Sequence, residues 1–410
     1  MLSLPSYGVE CALSLEPVSI VAPGKRKHAE QIFDLVALQW RDDLKRHARE
    51  GRINRSHYDW KTSRVAIAED RVVAHFGVYN LEMRVGTARV QTAGVNLVVT
   101  DPDFRKRGLM PPTIRASLDA MRANGYDLSI VCNAIANYYT RFGYVSAWPE
   151  YDVTVRTRDL PHEAPDFRLH RFAPRHRPDL DALYNAENST LTGTVVRPTF
   201  LRTKEPGDLY GYTWGEGGAA RGYVMYDVVS NGRAVWHYDS AGDPIERLWV
   251  FGLIARREDC EEVRFNRLHP HSGMARAIRT LNSTADETYR PTGGWLVRVI
   301  NLRSLFEKLS GELSRRLACS HLAGWRGDLL IATHSEQVLL SIDRSRVEVL
   351  PPGDAEHGIR GGEAIARLVI GSAEPDELVQ AHGMQLAGEG LSLARVLFPA
   401  QRPQMGNADL

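Results

Sequence analysis

Residues Val90 to Cys132 read as a strand, a basic loop, an amphipathic helix and a second strand, and that order restricts the fold more than any other part of the chain. Val90 to Thr100 is apolar and rich in β-branched residues. Met110 to Asn124 carries Met110, Ile114, Leu118 and Met121 at intervals of four, four and three, which sets them on one helical face. Asn124-Gly125 closes the helix with residues that tolerate left-handed backbone, and Leu128 to Cys132 is short and apolar. A helix between two strands is a crossover connection, the unit of α/β architecture. Upstream, Gln31 to Glu50 predicts a helix, while Arg64 to Ala68 and Val72 to Tyr79 predict strands meeting at Glu69-Asp70.

With 410 residues the chain exceeds one ordinary domain. Polar, proline-bearing breaks at Thr157 to Pro165 and Thr288 to Gly294 divide it into units 1–155, 156–291 and 292–410. In the middle unit a helix near Asp179 to Glu187 precedes strands Leu209 to Trp214, Tyr223 to Val229 and Ala234 to Tyr238. Asn231-Gly232 marks a two-residue hairpin between the last two. The third unit opens with a strand, Trp295 to Ile300, and a helix, Leu302 to Ala318. Strands Asp328 to Thr333, Val338 to Asp343 and Arg346 to Leu350 follow, then helical segments near Gly362 to Ile370, Pro375 to His382 and Gly390 to Leu397. The fold class is mixed α/β (α+β).

Lysine plus arginine number 51 against 50 for aspartate plus glutamate, which argues against a nucleic-acid partner, since such proteins need a basic footprint. No apolar run reaches the ~18 residues that span a bilayer. Met1 to Pro17 lacks a basic leader, so a cytoplasmic location and no membrane partner are expected. Cys11, Cys132, Cys260 and Cys319 are too scattered for a zinc or disulfide framework, and no metal is expected. His269-Pro270-His271 alone is a poor metal site.

The chemistry concentrates between Val98 and Tyr144. Asp101-Pro102-Asp103-Phe104 turns the chain, and Arg105-Lys106-Arg107-Gly108-Leu109-Met110 leads into the helix. A glycine bend, flanking cations and a helix start offer free N–H groups and a positive dipole end to a pyrophosphate. Such a loop is also compatible with a plain solvated turn. After Leu128 to Cys132 come Asn133 to Asn137 and then Tyr138-Tyr139-Thr140-Arg141-Phe142-Gly143-Tyr144.

Taken together, these segments resemble the GCN5-related N-acetyltransferase (GNAT) superfamily. Its P-x-x-R-x-x-G-x-G/A pattern is met by Pro102, Arg105 and Gly108, and its Y-x-x-x-G-F/Y pattern by Tyr139, Gly143 and Tyr144. The layout is similar to the enhanced intracellular survival family. That likeness implies tandem acyl-CoA N-acyltransferase (GNAT) folds, the second degenerate, followed by an SCP2-like, sterol-carrier-type α/β domain. It implies acetyl-CoA as co-substrate and a primary amine as acceptor: an aminoglycoside, a polyamine or a lysine side chain. It also implies a homo-oligomer, with a hexamer as one form.

By the same resemblance, backbone groups of Val98, Val99 and Thr100 would pair with the pantetheine arm, with the Val98 N–H facing the thioester oxygen. Arg105 belongs to the matched motif, and Lys106, Arg107, Gly108, Leu109 and Met110 would cradle the pyrophosphate. Ala134 and Ile135 would flank the thioester. Tyr139 would protonate the departing thiolate, and the carboxylate of Leu410 would accept the amine proton. A phenol near ~10 can protonate a thiolate near ~8.5 only against a modest gradient, and a carboxylate near ~3.5 is a weak base toward an ammonium. Packing at the junction is the other reading of Tyr139, and a structural or gating tail that of Leu410. The family's small residue stands here as Met110, followed by Pro111 and Pro112, which remove N–H donors where phosphates need them. A catalytically silent acyl-CoA or lipid sensor is the rival reading.

Overall fold

Hydrogen bonding sorts the strands into three sheets. The computed structural model describes residues 18–39, 57–133, 135, 137–163, 166–198, 210–215, 219–229, 231–290 and 293–406. The chain begins with β1 (Ser19–Val21), α1 (Lys25–Gln39), β2 (Arg64–Ala68), β3 (Arg71–Val85), β4 (Ala88–Thr100), α2 (Met110–Ala123), β5 (Leu128–Asn133) and β6 (Val145–Ser146). It continues through β7 (Glu150–Arg156), β8 (His170–Arg171), α3 (Arg177–Glu187), β9 (Tyr210–Trp214), β10 (Gly222–Val229) and β11 (Ala234–Ala241). Then come α4 (Pro244–Arg257), β12 (Glu262–Phe265), α5 (Gly273–Ile278) and β13 (Ser283–Thr288). Next are β14 (Gly294–Val299), α6 (Leu302–Ala318), β15 (Arg326–Ala332), β16 (Gln337–Asp343), β17 (Arg346–Leu350) and β18 (His357–Arg360). The series ends with α7 (Ala364–Val369), α8 (Pro375–His382), β19 (Gln385–Ala387) and α9 (Gly390–Leu397).

The first sheet has the order β1-β2-β3-β4-β5-β14-β6, and the second β13-β7-β12-β11-β10-β9-β8. Read from β1 and from β8 the two follow one plan. Four antiparallel strands lead to a parallel neighbour (β4 with β5, β11 with β12) joined by a crossover helix, and two further antiparallel strands complete each sheet. In both, the sixth strand is borrowed. β7 leaves the first sheet's part of the chain to enter the second sheet, and β14 returns from beyond β13 to lie between β5 and β6. Gly294–Val299, which sequence analysis takes as the start of the third unit, therefore belongs by its hydrogen bonds to the first sheet. Trp295, Leu296 and Val297 are fully buried there, as a central strand requires.

The helix predicted over Gln31 to Glu50 is α1 as far as Gln39, and its remainder lies outside the described residues. The hairpin at Asn231-Gly232 is four residues long rather than two: pairing resumes from Val229 to Ala234, with φ of 58° at Asn231 and 85° at Gly232.

The third sheet, β17-β16-β15-β18-β19, packs with α6 on the first sheet. One continuous apolar cluster contains Phe33 and Val36 of α1, Tyr79 and Leu81 of β3, Leu305 and Leu309 of α6, and Leu340 and Ile342 of β16. The opposite face of the first sheet is covered by α2 through Ile114 and Met121, in a cluster with Phe76, Val95, Tyr139 and Tyr144. Buried pairs lock the layers: Lys308 Nζ donates to Asp127, and Glu312, 1% exposed at its side chain, accepts from Arg316 Nε at 2.7 Å and Thr87 Oγ1 at 2.7 Å. Among the described residues no helix is long and apolar enough to cross a membrane.

Candidate active site

Two departures from regular pairing open the first sheet. The parallel ladder of β4 and β5 runs from Thr92↔Leu128 only to Val95↔Val131, although both strands continue. Just beyond Val95, β4 bulges against β3: Gly77 faces Asn96 and His75 faces Val99, so Leu97 and Val98 together oppose one residue. Leu97 takes φ of 54°, an uncommon conformation for a branched side chain. Gly77 is required here, because a Cβ would stand 2.5 Å from the Asn96 carbonyl oxygen and 2.8 Å from the His75 ring. The two strands thus part at Val98, Val99 and Thr100, leaving main-chain groups on that side of β4 without β5 as a partner.

His75 holds this bulge, and sequence analysis does not select it. Its ring is fully buried, with Nδ1 2.7 Å from the Leu97 carbonyl oxygen and Nε2 2.8 Å from the Tyr58 hydroxyl. Burial pushes its pKa down to about 4, opposed by the Leu97 hydrogen bond. The one available signal is the glycine two residues on, since glycine inside a strand marks a bulge or a close approach.

From Thr100 the chain enters the basic loop. Asp101 Oδ1 accepts from the Asp103 N–H at 2.9 Å and so fixes the turn. Arg105 folds its Nε back to the Thr100 carbonyl at 3.2 Å, and Arg107 stacks on Phe104 at 4.7 Å. Lys106 (φ 61°) and Gly108 (φ 74°) are left-handed, and residues 105 to 108 are exposed. Nothing lies within 4 Å of the place a Gly108 Cβ would occupy, so the bend faces open space. α2 starts at once at Met110 with prolines in its first turn and no side-chain cap at Leu109; the Thr113 hydroxyl donates to the Leu109 carbonyl at 2.8 Å.

Tyr139 lies at the entrance of a short 3-10 turn, Thr140–Phe142, and is 4% exposed. Its ring meets Tyr138 at 5.2 Å and Tyr144 at 5.7 Å, both edge-on. Val98, Leu109 and Met110 pack in the same cluster, so the loop, the parted strand and the phenol share one side of the sheet. Burial, then the neighbouring phenols Tyr144 and Tyr138, push the Tyr139 pKa well up, so it is protonated at neutral pH. Tyr144 donates to or accepts from Ser129 Oγ at 2.7 Å, and burial lifts its pKa to about 12. Arg298 of β14 donates to the Phe142 carbonyl, tying the borrowed strand to this turn.

Ile135 is exposed, while Ala134 and Leu410 lie outside the described residues. The tail is anchored up to that limit. Met405 is fully buried, the Gln404 N–H donates to the Thr192 carbonyl at 3.3 Å, and a Cβ on Gly193 (φ 92°) would come within 2.7 Å of the Gln404 nitrogen. At the open end of β5, Arg267 Nη2 reaches Cys132 Sγ at 3.9 Å and Glu150 at 3.2 Å, joining the two seven-stranded sheets. The His269 ring donates from Nε2 to the Thr192 carbonyl at 3.1 Å and accepts at Nδ1 from the His271 N–H, so both its nitrogens serve the fold.

The second sheet has no counterpart of the loop. α4 follows β11 almost directly, and Asp243 caps it by accepting from the Ile245 and Glu246 N–H groups at 2.9 and 3.1 Å. A carboxylate already sits where an anion would bind.

Residues 21–147 match the acetyltransferase (GNAT) domain family. An uncharacterized N-acetyltransferase of Streptomyces coelicolor is 32% identical over 128 residues; the match spans about 30% of each chain's length. Among solved structures, a GCN5-related N-acetyltransferase from Anabaena variabilis superposes over 95% of this chain and 99% of its own, with a TM-score of 0.74 at 17% identity. Eis1 from Mycobacterium abscessus superposes over 96% of this chain and 100% of its own, with a TM-score of 0.64 at 16% identity. At these identities the structures establish likeness of fold. The likeness to an acetyltransferase (GNAT) domain thus covers residues 21–147, the stretch that holds the parted strand, the basic loop and the Tyr139 turn.

Proposed function

We propose that the chain transfers an acetyl group from acetyl-CoA to a primary amine by direct attack. The observation that carries this reading is the grouping of the parted strand at Val98, the left-handed basic bend at Lys106 to Gly108 and the buried Tyr139 on one side of the first sheet. In it, the bend and the start of α2 hold the pyrophosphate, backbone groups of Val98 to Thr100 pair with the pantetheine arm, and Ala134 and Ile135 flank the thioester. The Val98 N–H stabilises the charge that develops on the thioester oxygen. Tyr139, kept neutral by burial, protonates the sulfur as it leaves. The nearly dry surroundings that raise the phenol also disfavour a free thiolate, which narrows the gap between them. The amine proton passes to the Leu410 carboxylate, a few residues beyond the buried Gln404 and Met405.

The shared plan of the two seven-stranded sheets supports reading residues 156–291, with β7, as a second acyltransferase fold, one that holds no coenzyme because Asp243 occupies its helix terminus. Residues 292–410 beyond β14 are read as an SCP2-like, sterol-carrier-type unit. The acceptor is an aminoglycoside, a polyamine or a lysine side chain, and the protein works as a homo-oligomer in the cytoplasm. Thiol release from acetyl-CoA with a panel of amines tests the activity. Tyr139→Phe is expected to cut kcat about 100-fold, within the usual reach of general acid catalysis, with calorimetric affinity for CoA unchanged. Equal rates in variant and parent would remove Tyr139 from the mechanism. Pro111 and Pro112 favour the second reading, an acyl-CoA sensor; CoA binding without release for any amine would establish it.

A further inference from the structure

We infer that His75 is a positioning residue for acyl transfer: by gripping the Leu97 carbonyl it aims the Val98 N–H at the thioester oxygen and strengthens it as a donor. The inference rests on the functional reading above and names a residue that reading does not use.

The geometry begins with protons. A carbonyl oxygen only accepts, so His75 Nδ1, 2.7 Å from Leu97 O, carries the hydrogen. Nε2 then has a lone pair, and the Tyr58 hydroxyl donates to it at 2.8 Å. Both ring nitrogens are engaged and the ring is fully buried, which suits the neutral imidazole that this tautomer requires. The Leu97 carbonyl and the Val98 N–H belong to one planar trans peptide, in which the two point in opposite directions. Fixing one end of that plane therefore fixes the other.

The faces agree. Tyr58, Leu97 and Val99 pack in the cluster on the α1 side of the sheet, whereas Val98 packs with Met110 and Tyr139 on the α2 side. With the carbonyl turned toward the histidine, the N–H is turned away from it, on the residue that packs with Tyr139. The preceding peptide is held as well, because the Leu97 N–H donates to Asn96 Oδ1 at 2.7 Å. Such clamps hold a left-handed leucine in place, a conformation that persists only where its surroundings impose it. Hydrogen bonding at a carbonyl also polarises its amide, so the donor at the far end improves. An oxyanion donor that is fixed before the reaction needs no reorganisation during it.

Two side chains separate the halves of the relay. The amide of His75→Asn reaches the place of Nδ1 and keeps the Leu97 bond; that of His75→Gln reaches the place of Nε2 and keeps only the Tyr58 bond. With acetyl-CoA and the best amine of the panel, His75→Asn is expected within threefold of the parental kcat. His75→Gln is expected to lose about 100-fold, the scale of one lost oxyanion donor, with KM for acetyl-CoA within twofold. Tyr58→Phe should lower the melting temperature yet keep kcat within threefold, which separates stability from positioning. A folded His75→Gln with parental kcat, or His75→Asn as impaired as His75→Gln, overturns the inference. If the variants do not fold, the parent still decides. Its Val98 amide proton should move downfield on adding acetyl-CoA without amine but not on adding CoA, which lacks the carbonyl, and no difference between the two overturns the inference. A parent that releases no thiol overturns the transferase reading instead.

Discussion

Gly77 shows how much of the site depends on one missing methyl group. Its Cβ would lie 2.5 Å from the Asn96 oxygen and 2.8 Å from the His75 ring, and neither can retreat in a buried sheet. Gly77→Ala must open the bulge or push the histidine off the Leu97 carbonyl. We expect a loss of about 1–3 kcal/mol in chemical denaturation, the usual cost of overpacking, and at least tenfold in thiol release. The measurement that matters is their ratio, since an activity loss no greater than the fraction unfolded would deny the bulge a part in turnover. Tyr139 illustrates the other use of burial. Its environment suppresses ionisation, so the phenol stays a donor over the whole working range of pH.

At the scale of elements, α2 joins two opposing demands. In the proposed reading its first turn faces the coenzyme, yet Pro111 and Pro112 offer no N–H there. Restoring them in Pro111→Ala/Pro112→Ala should tighten CoA binding severalfold by calorimetry; unchanged affinity would mean that the Lys106–Gly108 bend binds the phosphates alone. α2 was legible in the sequence because Met110, Ile114 and Met121 keep helical spacing and all three are buried. The same holds for β2, β4 and α6, whose periodicity is local. β14 was legible as a strand but not as a member of the first sheet, since Trp295 to Val297 encode burial and not the identity of the neighbour. β7 alternates half-buried and buried residues as a strand should, and was passed over because it runs straight into a polar break. The basic loop and the Tyr139 turn meet in one cluster, whereas His75 was legible only through Gly77: a histidine in an apolar strand reads as core until its two partners are seen.

At the scale of the whole molecule, three of the described histidines carry the strongest acid sensitivity. His75, His237 and His269 are each buried, and burial holds their pKa values down to about 4. The unfolded chain, with histidines near ~6.5, binds protons more readily. The stabilisation is therefore complete above that pH and is lost as pH falls toward 4, at ~1.4 kcal/mol per unit for each ring. Urea titrations at pH 7.5, 6 and 5 should show the midpoint falling at each step. A midpoint constant over this range would mean that these rings are solvated. Glu312 works in a lower window. Burial would raise it, but its bonds to Arg315, Thr87 and Arg316 hold it to about 2, so its contribution is complete above pH 4.5 and is lost as pH falls toward 2.

The exchange of sixth strands imposes an order on biogenesis. As the chain leaves the ribosome, β5 and β6 emerge with a vacancy between them that only Gly294–Val299 can fill. Until those residues appear, the first sheet is an incomplete lamina whose inner edge is bare. The second sheet, which already owns β7, can close first, and the half of the protein synthesised earlier is the half that matures later.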